Sequence, residues 1–159
     1  MKLSTTILAA SALAAGSAFA EPVAPGDVQF DDYGAVAESL TGKPGDPEKG
    51  AEVLSKRSLG NCVACHQISS LADVPFQGNI GPTLDGVGDR WNEAELRGIL
   101  SDANNVYPGT MMPSYYRVDG FIRPGNGYTG KAAEGPLEPL LTAEQIEDVV
   151  AFLVTQKEQ

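Results

Sequence analysis

The sequence predicts an all-α domain, and three observations carry that expectation. Two stretches, from Asn92 and from Thr142, open with a capping box and continue with apolar residues at helical spacing. Proline and glycine interrupt every run that could otherwise extend as a strand, which leaves little chain for a sheet. The third is Cys62-Val63-Ala64-Cys65-His66, which gathers both cysteines and the only histidine of the 159 residues into one short run. Helices around such a run would have something to enclose.

In chain order, residues 1–20 read as a secretory signal peptide: Lys2 gives a positive start, Ile7 to Ala15 is apolar, and Ala18-Phe19-Ala20 before Glu21 is a cleavage signal. A membrane anchor would need about 20 consecutive apolar residues, more than this run holds, and no other segment comes near that length. The expectation is therefore no membrane span and an exported chain, which in a bacterium means the periplasm. Residues 21–45 mix Pro22, Pro25, Gly26, Gly34, Gly42, Pro44 and Gly45 with several acids and form an extension, laid over the domain or over a partner. Only 35–40 has helical periodicity within it.

The main domain is expected over 46–159. Asp46 can cap a helix, Pro47 suits its first turn, and Glu48 favours the positive end of its dipole. Ala51, Leu54 and Val53 form its inner stripe, and Gly60 ends it. Gly50 would weaken that helix by about 1 kcal/mol relative to alanine, which makes sense if another helix must come close. The terminal helix supplies one, with Ile146, Val149, Val150 and Leu153 on one face, Phe152 and Leu153 over Gly50, and Glu144, Glu147 and Asp148 toward water. Between them the box at Asn92 leads into Leu96, Ile99 and Leu100. Phe121 to Pro139 is a Gly/Pro-rich loop, and there is no internal repeat.

Cys62 to His66 is the C-x-x-C-H pattern of covalent haem attachment. Two thiols at that spacing can add to the two vinyl groups of one porphyrin, and the histidine that follows reaches the iron as proximal ligand. A redox C-x-x-C would sit in a βαβ pattern that is not found here, and a structural zinc site needs four ligands where this chain offers three crowded ones. Export favours a disulfide, but the adjacent histidine and tight spacing argue against it.

With His66 and both thiols committed, methionine is what remains for the sixth position. Beyond the leader the chain has only Met111 and Met112, in Pro108-Gly109-Thr110-Met111-Met112-Pro113, a turn able to carry a thioether across the open haem face. The competing readings are two core methionines, an open site, or a ligand from a partner. Arg90 and Trp91 could hold a haem propionate, or be a solvated arginine beside a core tryptophan. Tyr115 and Tyr116 could line the methionine side of the haem or belong to a partner surface. The formal charge of -10 argues against nucleic acid and anionic lipid as partners, and suits either a positively charged protein or simple solubility.

The order of haem motif, Ile80-Gly81-Pro82-Thr83-Leu84, Pro-Gly-Thr-x-Met and capped terminal helix resembles class I cytochrome c. That resemblance implies crossed N- and C-terminal helices around one covalent haem c, Met112 rather than Met111 on the iron, and the Pro82 carbonyl bonded to the His66 ring. A finer resemblance, over about 39–156, is to the mono-haem SoxX family of the SoxAX sulfur-oxidation cytochromes. It rests on Ser39 to Pro47, Gly60-Asn61-Cys62, Asn79 to Pro82, Asp89-Arg90-Trp91 and Met112 to Val118. It implies three partners: a SoxA-like larger cytochrome subunit, a sulfur-carrier protein bearing a cysteine, and a soluble cytochrome c as electron acceptor. The reaction implied is the joining of thiosulfate to the carrier cysteine, an L-cysteine S-thiosulfotransferase activity. No thiol is left in this chain to carry sulfur, so its part would be to accept electrons. A free-standing periplasmic electron carrier shares all of the haem logic, and a gas or redox sensor would need a displaceable sixth ligand.

Overall fold

The computed structural model describes residues 21–158; the leader expected over 1–20 lies outside the described residues. Five helices follow one another: α1 Pro47–Ser55, α2 Val87–Arg90, α3 Glu93–Ser101, α4 Ala103–Val106 and α5 Ala143–Leu153. Among the described residues there is no strand, only an isolated bridge between Gly125 and Ala132.

Each long helix begins where its side chains satisfy the free backbone amides. The Asp46 carboxylate accepts from Glu48 N at 3.0 Å and Lys49 N at 3.3 Å. Asn92 with Glu95, and Thr142 with Gln145, complete reciprocal capping boxes. α1 stops at Ser55, earlier than the expected end at Gly60, because 56–60 folds into a turn that Gly60 N closes onto Val53 O at 3.0 Å.

α1 and α5 cross at Gly50. A Cβ there would lie 2.0 Å from Asp148 O and 2.8 Å from the Phe152 side chain, so only glycine lets the backbones meet. Ile146, Val149, Val150 and Leu153 fill the seam with Val53 and Leu54, each contributing about 1.5–3 kcal/mol by burial. Leu96 and Leu100 bring α3 into the same core.

Two expectations are corrected here. Residues 35–40 are not helical: Val36 N donates to Ala94 O at 2.9 Å, and Leu40 N to the Glu147 carboxylate at 2.8 Å. These bonds lay the arm 21–45 across α3 and α5, with Val36 and Leu40 buried. Nor does Glu147 face water. It is 4% exposed and meets the equally buried Arg97 through Nε at 2.7 Å and Nη2 at 3.0 Å. Arg97 Nη1 donates in turn to Val36 O at 2.8 Å. The pair is neutralised internally and holds arm, α3 and α5 together.

Residues 121–139 form an exposed loop with Ile122 and Tyr128 almost fully in solvent. Its backbone bonds, among the described residues, close on the loop itself: Asn126 N to Lys131 O, Gly130 N to Asn126 O and Ala133 N to Pro124 O. Arg117 stacks over Phe121 at its root, 5.3 Å from the ring centre. No described helix is long and apolar enough to cross a membrane.

Candidate haem site

Asn61 turns the chain with a left-handed backbone (φ 49°), and Cys62–Ala64 coils into a single tight turn. Cys65 N and His66 N both donate to Cys62 O, at 3.0 and 2.9 Å. The pentapeptide is therefore a compact knuckle. Cys62 is buried and Cys65 half-buried, and neither is in a disulfide. Burial pushes the Cys62 thiol up to about 11.

A second loop, 77–85, is strapped to that knuckle. Gly78 N donates to Val63 O and Gly81 N to Cys65 O, each at 2.8 Å, while Leu84 N donates to Gln67 O at 2.9 Å. The Gln77 side chain stitches the two across, accepting from Ile68 N and donating to Leu71 O, both at 2.7 Å. This places Pro82 O 2.7 Å from His66 Nδ1. A carbonyl only accepts, so Nδ1 carries a proton and Nε2 is the ring nitrogen left to face a metal. Gly81 lies flat on the imidazole, where a Cβ would come within 2.3 Å of Cε1 and 2.7 Å of Nε2.

Arg90, considered above as a propionate clamp, spends two donors on this loop, to Asp85 O at 2.8 Å and Thr83 O at 2.9 Å. Asp85 is bonded by the Ser69 hydroxyl and amide, both at 2.7 Å, and these bonds hold its carboxyl below the usual carboxylate range. Trp91 is half-buried and meets the Tyr107 ring edge-on, centroids 6.5 Å apart. It packs on the core at the entrance to the methionine segment.

The two methionines have different surroundings. Met111 is 78% exposed, whereas Met112 is half-buried and packs on the core. Tyr115 and Tyr116 are both buried. The Tyr115 hydroxyl donates to Gly60 O at 3.0 Å and that of Tyr116 to Val23 O at 2.7 Å. One ties the methionine segment to the cysteine knuckle and the other to the arm. Gly81, Gln77 and Asp85 were not anticipated from sequence. Only Gly81 had a signal, its place before Pro82.

The residues present fit a thioether-linked porphyrin: two unpaired thiols on one turn, an imidazole with its outer nitrogen free, and a glycine where any side chain would strike the ring. Among the described residues no cluster of three or more histidine, cysteine or acidic side chains could hold a separate metal ion.

A family model, Cytochrome c, matches residues 47–157. Cytochrome c-550 of Bacillus subtilis is 30% identical over 77 residues, which span 48% of this chain and 57% of that protein's length. Among solved structures, a chain of "Crystal structure of SoxXA from P. pantotrophus" superposes with a TM-score of 0.82 at 58% identity, covering 86% of this chain and 99% of its own. The family match begins where Asp46 caps α1 and ends just beyond α5, enclosing the knuckle and its strapped loop. The chain thus belongs to the cytochrome c family, carries haem c covalently on its cysteines, and within that family is similar to SoxX.

Proposed function

We propose that this chain is the electron-accepting subunit of a periplasmic SoxAX-type complex that joins thiosulfate to a cysteine of a carrier protein. The 58% identity to a chain of the SoxXA structure, over 99% of that chain, is the observation that supports it most. In this reading residues 1–20 are the signal peptide, 21–45 the arm and 46–159 the cytochrome domain.

The reaction forms a sulfur–sulfur bond between thiosulfate and the carrier thiol, which loses its proton, and releases two electrons. Both cysteines of this chain are consumed by thioether bonds, so it has no thiol on which that bond could be made. The sulfur step then falls to a SoxA-like larger subunit. Bound haem c supplies a one-electron couple. Electrons must therefore leave singly, toward a soluble cytochrome c.

The chain's own residues set the terms of that couple. His66 would hold the iron through Nε2, because its Nδ1–H, held by Pro82 O, fixes the ring plane and leaves that nitrogen for a metal. Gly81 lets the loop close on the ring, and Arg90 holds that loop through two carbonyls. Met112 would supply the second ligand to the iron, and Met111, its candidate substitute, points to solvent. A thioether opposite imidazole raises the reduction potential, which suits an acceptor of electrons from weak reductants.

Co-expression with a SoxA-like chain tests the assignment. A stable, co-eluting complex is expected. A monomer that exchanges electrons freely with unrelated partners would instead mark a free-standing carrier. Met112→Ala should abolish the low-spin spectrum of the thioether-ligated iron; its loss in Met111→Ala instead would reassign the ligand.

A further inference from the structure

We propose that Tyr115 is a positioning residue for Met112, clamping the methionine segment to the cysteine knuckle and so governing how firmly the thioether is held at the iron. The inference rests on the reading that Met112 is the axial ligand.

Upstream of Met112 the bonds are local. Thr110 N donates to Tyr107 O at 3.0 Å, and Met112 N to the Thr110 hydroxyl at 3.2 Å. Among the described residues no hydrogen bond of that turn reaches the cysteine knuckle, and the Tyr107 ring meets Trp91 instead, so hydrogen bonding there does not set the distance of the thioether from the knuckle. Downstream the segment is pinned to the rest of the fold. Ser114 Oγ donates to Asp102 at 2.6 Å, Tyr115 N to Leu100 O at 3.0 Å and Tyr116 N to Ser101 O at 3.1 Å. Those three bonds seat it on the end of α3. They do not set its distance from the knuckle.

Of the described residues from 107 to 118, Tyr115 alone hydrogen-bonds the 60–66 stretch, through its hydroxyl to Gly60 O at 3.0 Å. Gly60 is two residues before Cys62, and its Cα is so close to the knuckle that an added Cβ would be 3.2 Å from Cys62 Sγ. Tyr115 is 7% exposed, with Leu141 N donating to its carbonyl, so the ring is held at both ends. One rigid side chain thus spans from the segment carrying the thioether to the turn carrying the porphyrin linkage. Tyr116 provides a matched comparison: it is as buried, its hydroxyl makes one backbone bond, and that bond runs to Val23 in the arm.

The experiment uses the mature holoprotein and its Tyr115→Phe, Tyr116→Phe and Met112→Ala variants. Imidazole, which competes for the sixth position, is titrated into the oxidised protein and followed in the visible spectrum, and thermal midpoints are recorded alongside. Losing one hydrogen bond that favours the methionine-bound state should tighten imidazole binding in Tyr115→Phe by about fivefold. Tyr116→Phe should lose thermal stability and bind imidazole as the wild type does. Equal affinity in Tyr115→Phe and wild type, with only the melting point lowered, would overturn the proposal, as would equal tightening in both tyrosine variants. If Met112→Ala matches the wild type in spectrum and affinity, the ligand assignment itself falls and this inference with it. A change in Met112→Ala without one in Tyr115→Phe sinks the Tyr115 role alone.

Discussion

Replacing Glu147 by glutamine should destabilise this protein more than any change at its surface. The carboxylate accepts from Arg97 Nε at 2.7 Å, Arg97 Nη2 at 3.0 Å and Leu40 N at 2.8 Å, with both side chains 5% exposed. Glutamine keeps the shape and removes the charge, leaving the guanidinium buried with only Glu93, 4.0 Å away and largely in solvent, to balance it. Removing one partner of a buried pair costs about 3–5 kcal/mol. For a chain of this size that corresponds to a fall in Tm of about 6–20 °C. Calorimetry of the holoprotein gives the shift directly. Exchange of the Leu40 amide should accelerate, because its acceptor loses the charge-assisted pairing with Arg97 that holds it in place. The Arg97→Leu/Glu147→Leu double variant removes both charges and leaves the Val36 carbonyl and Leu40 amide unpaired, at about 1–3 kcal/mol each. Its loss should therefore be smaller than the two single losses added. Added salt should change the wild-type Tm little, since a pair this deep is poorly screened. A fall below about 3 °C in Glu147→Gln, or strict additivity in the double variant, would refute the argument.

Other substitutions probe the remaining contacts. Gly50→Ala puts a Cβ 2.0 Å from Asp148 O, so α1 and α5 must separate; the denaturation midpoint should fall, by at least the about 1–3 kcal/mol of an overpacked core, at unchanged slope. Gly81→Ala drives a Cβ to 2.3 Å from His66 Cε1 and should disturb the low-spin spectrum, while Gly127→Ala, with nothing within 4 Å, should leave it intact. The Asp85 carboxyl is lowered chiefly by the Ser69 hydroxyl, then by the Ser69 amide. Its contribution is therefore complete above the unfolded-state pKa and lost as pH falls through the lower folded value. Thermal midpoints taken from about neutral to about pH 3 should drop less steeply in Asp85→Ala than in wild type.

Local chemistry decided what could be read in the sequence. α3 and α5 are legible because Asn92 with Glu95 and Thr142 with Gln145 write their starts into four residues each. The α1–α5 crossing is legible because a mid-helix glycine is unfavourable without a close neighbour. Cys62, Cys65 and His66 stand out by spacing alone. Residues 35–40 misled because their periodicity is real while their amides are claimed by Ala94 and Glu147, partners remote in the chain. Glu147 misled because charge by itself says water, and only its meeting with Arg97 reverses that. Arg90 showed its basic character but not its acceptors: two carbonyls become available only once the loop after Pro82 has folded. α2 and α4 are single turns of four residues, too short for any periodic pattern to show.

The loop over 121–139 is bonded to itself rather than to the helices, and this has a practical side. Doubling the length of a flexible connection costs only about 0.6 kcal/mol of closure entropy. That stretch is accordingly where an epitope tag, a fluorophore-bearing cysteine or a tether to a surface could be spliced in while the pigment-bearing core stays as it is. It is also where related chains are free to diverge in length without re-engineering anything beneath.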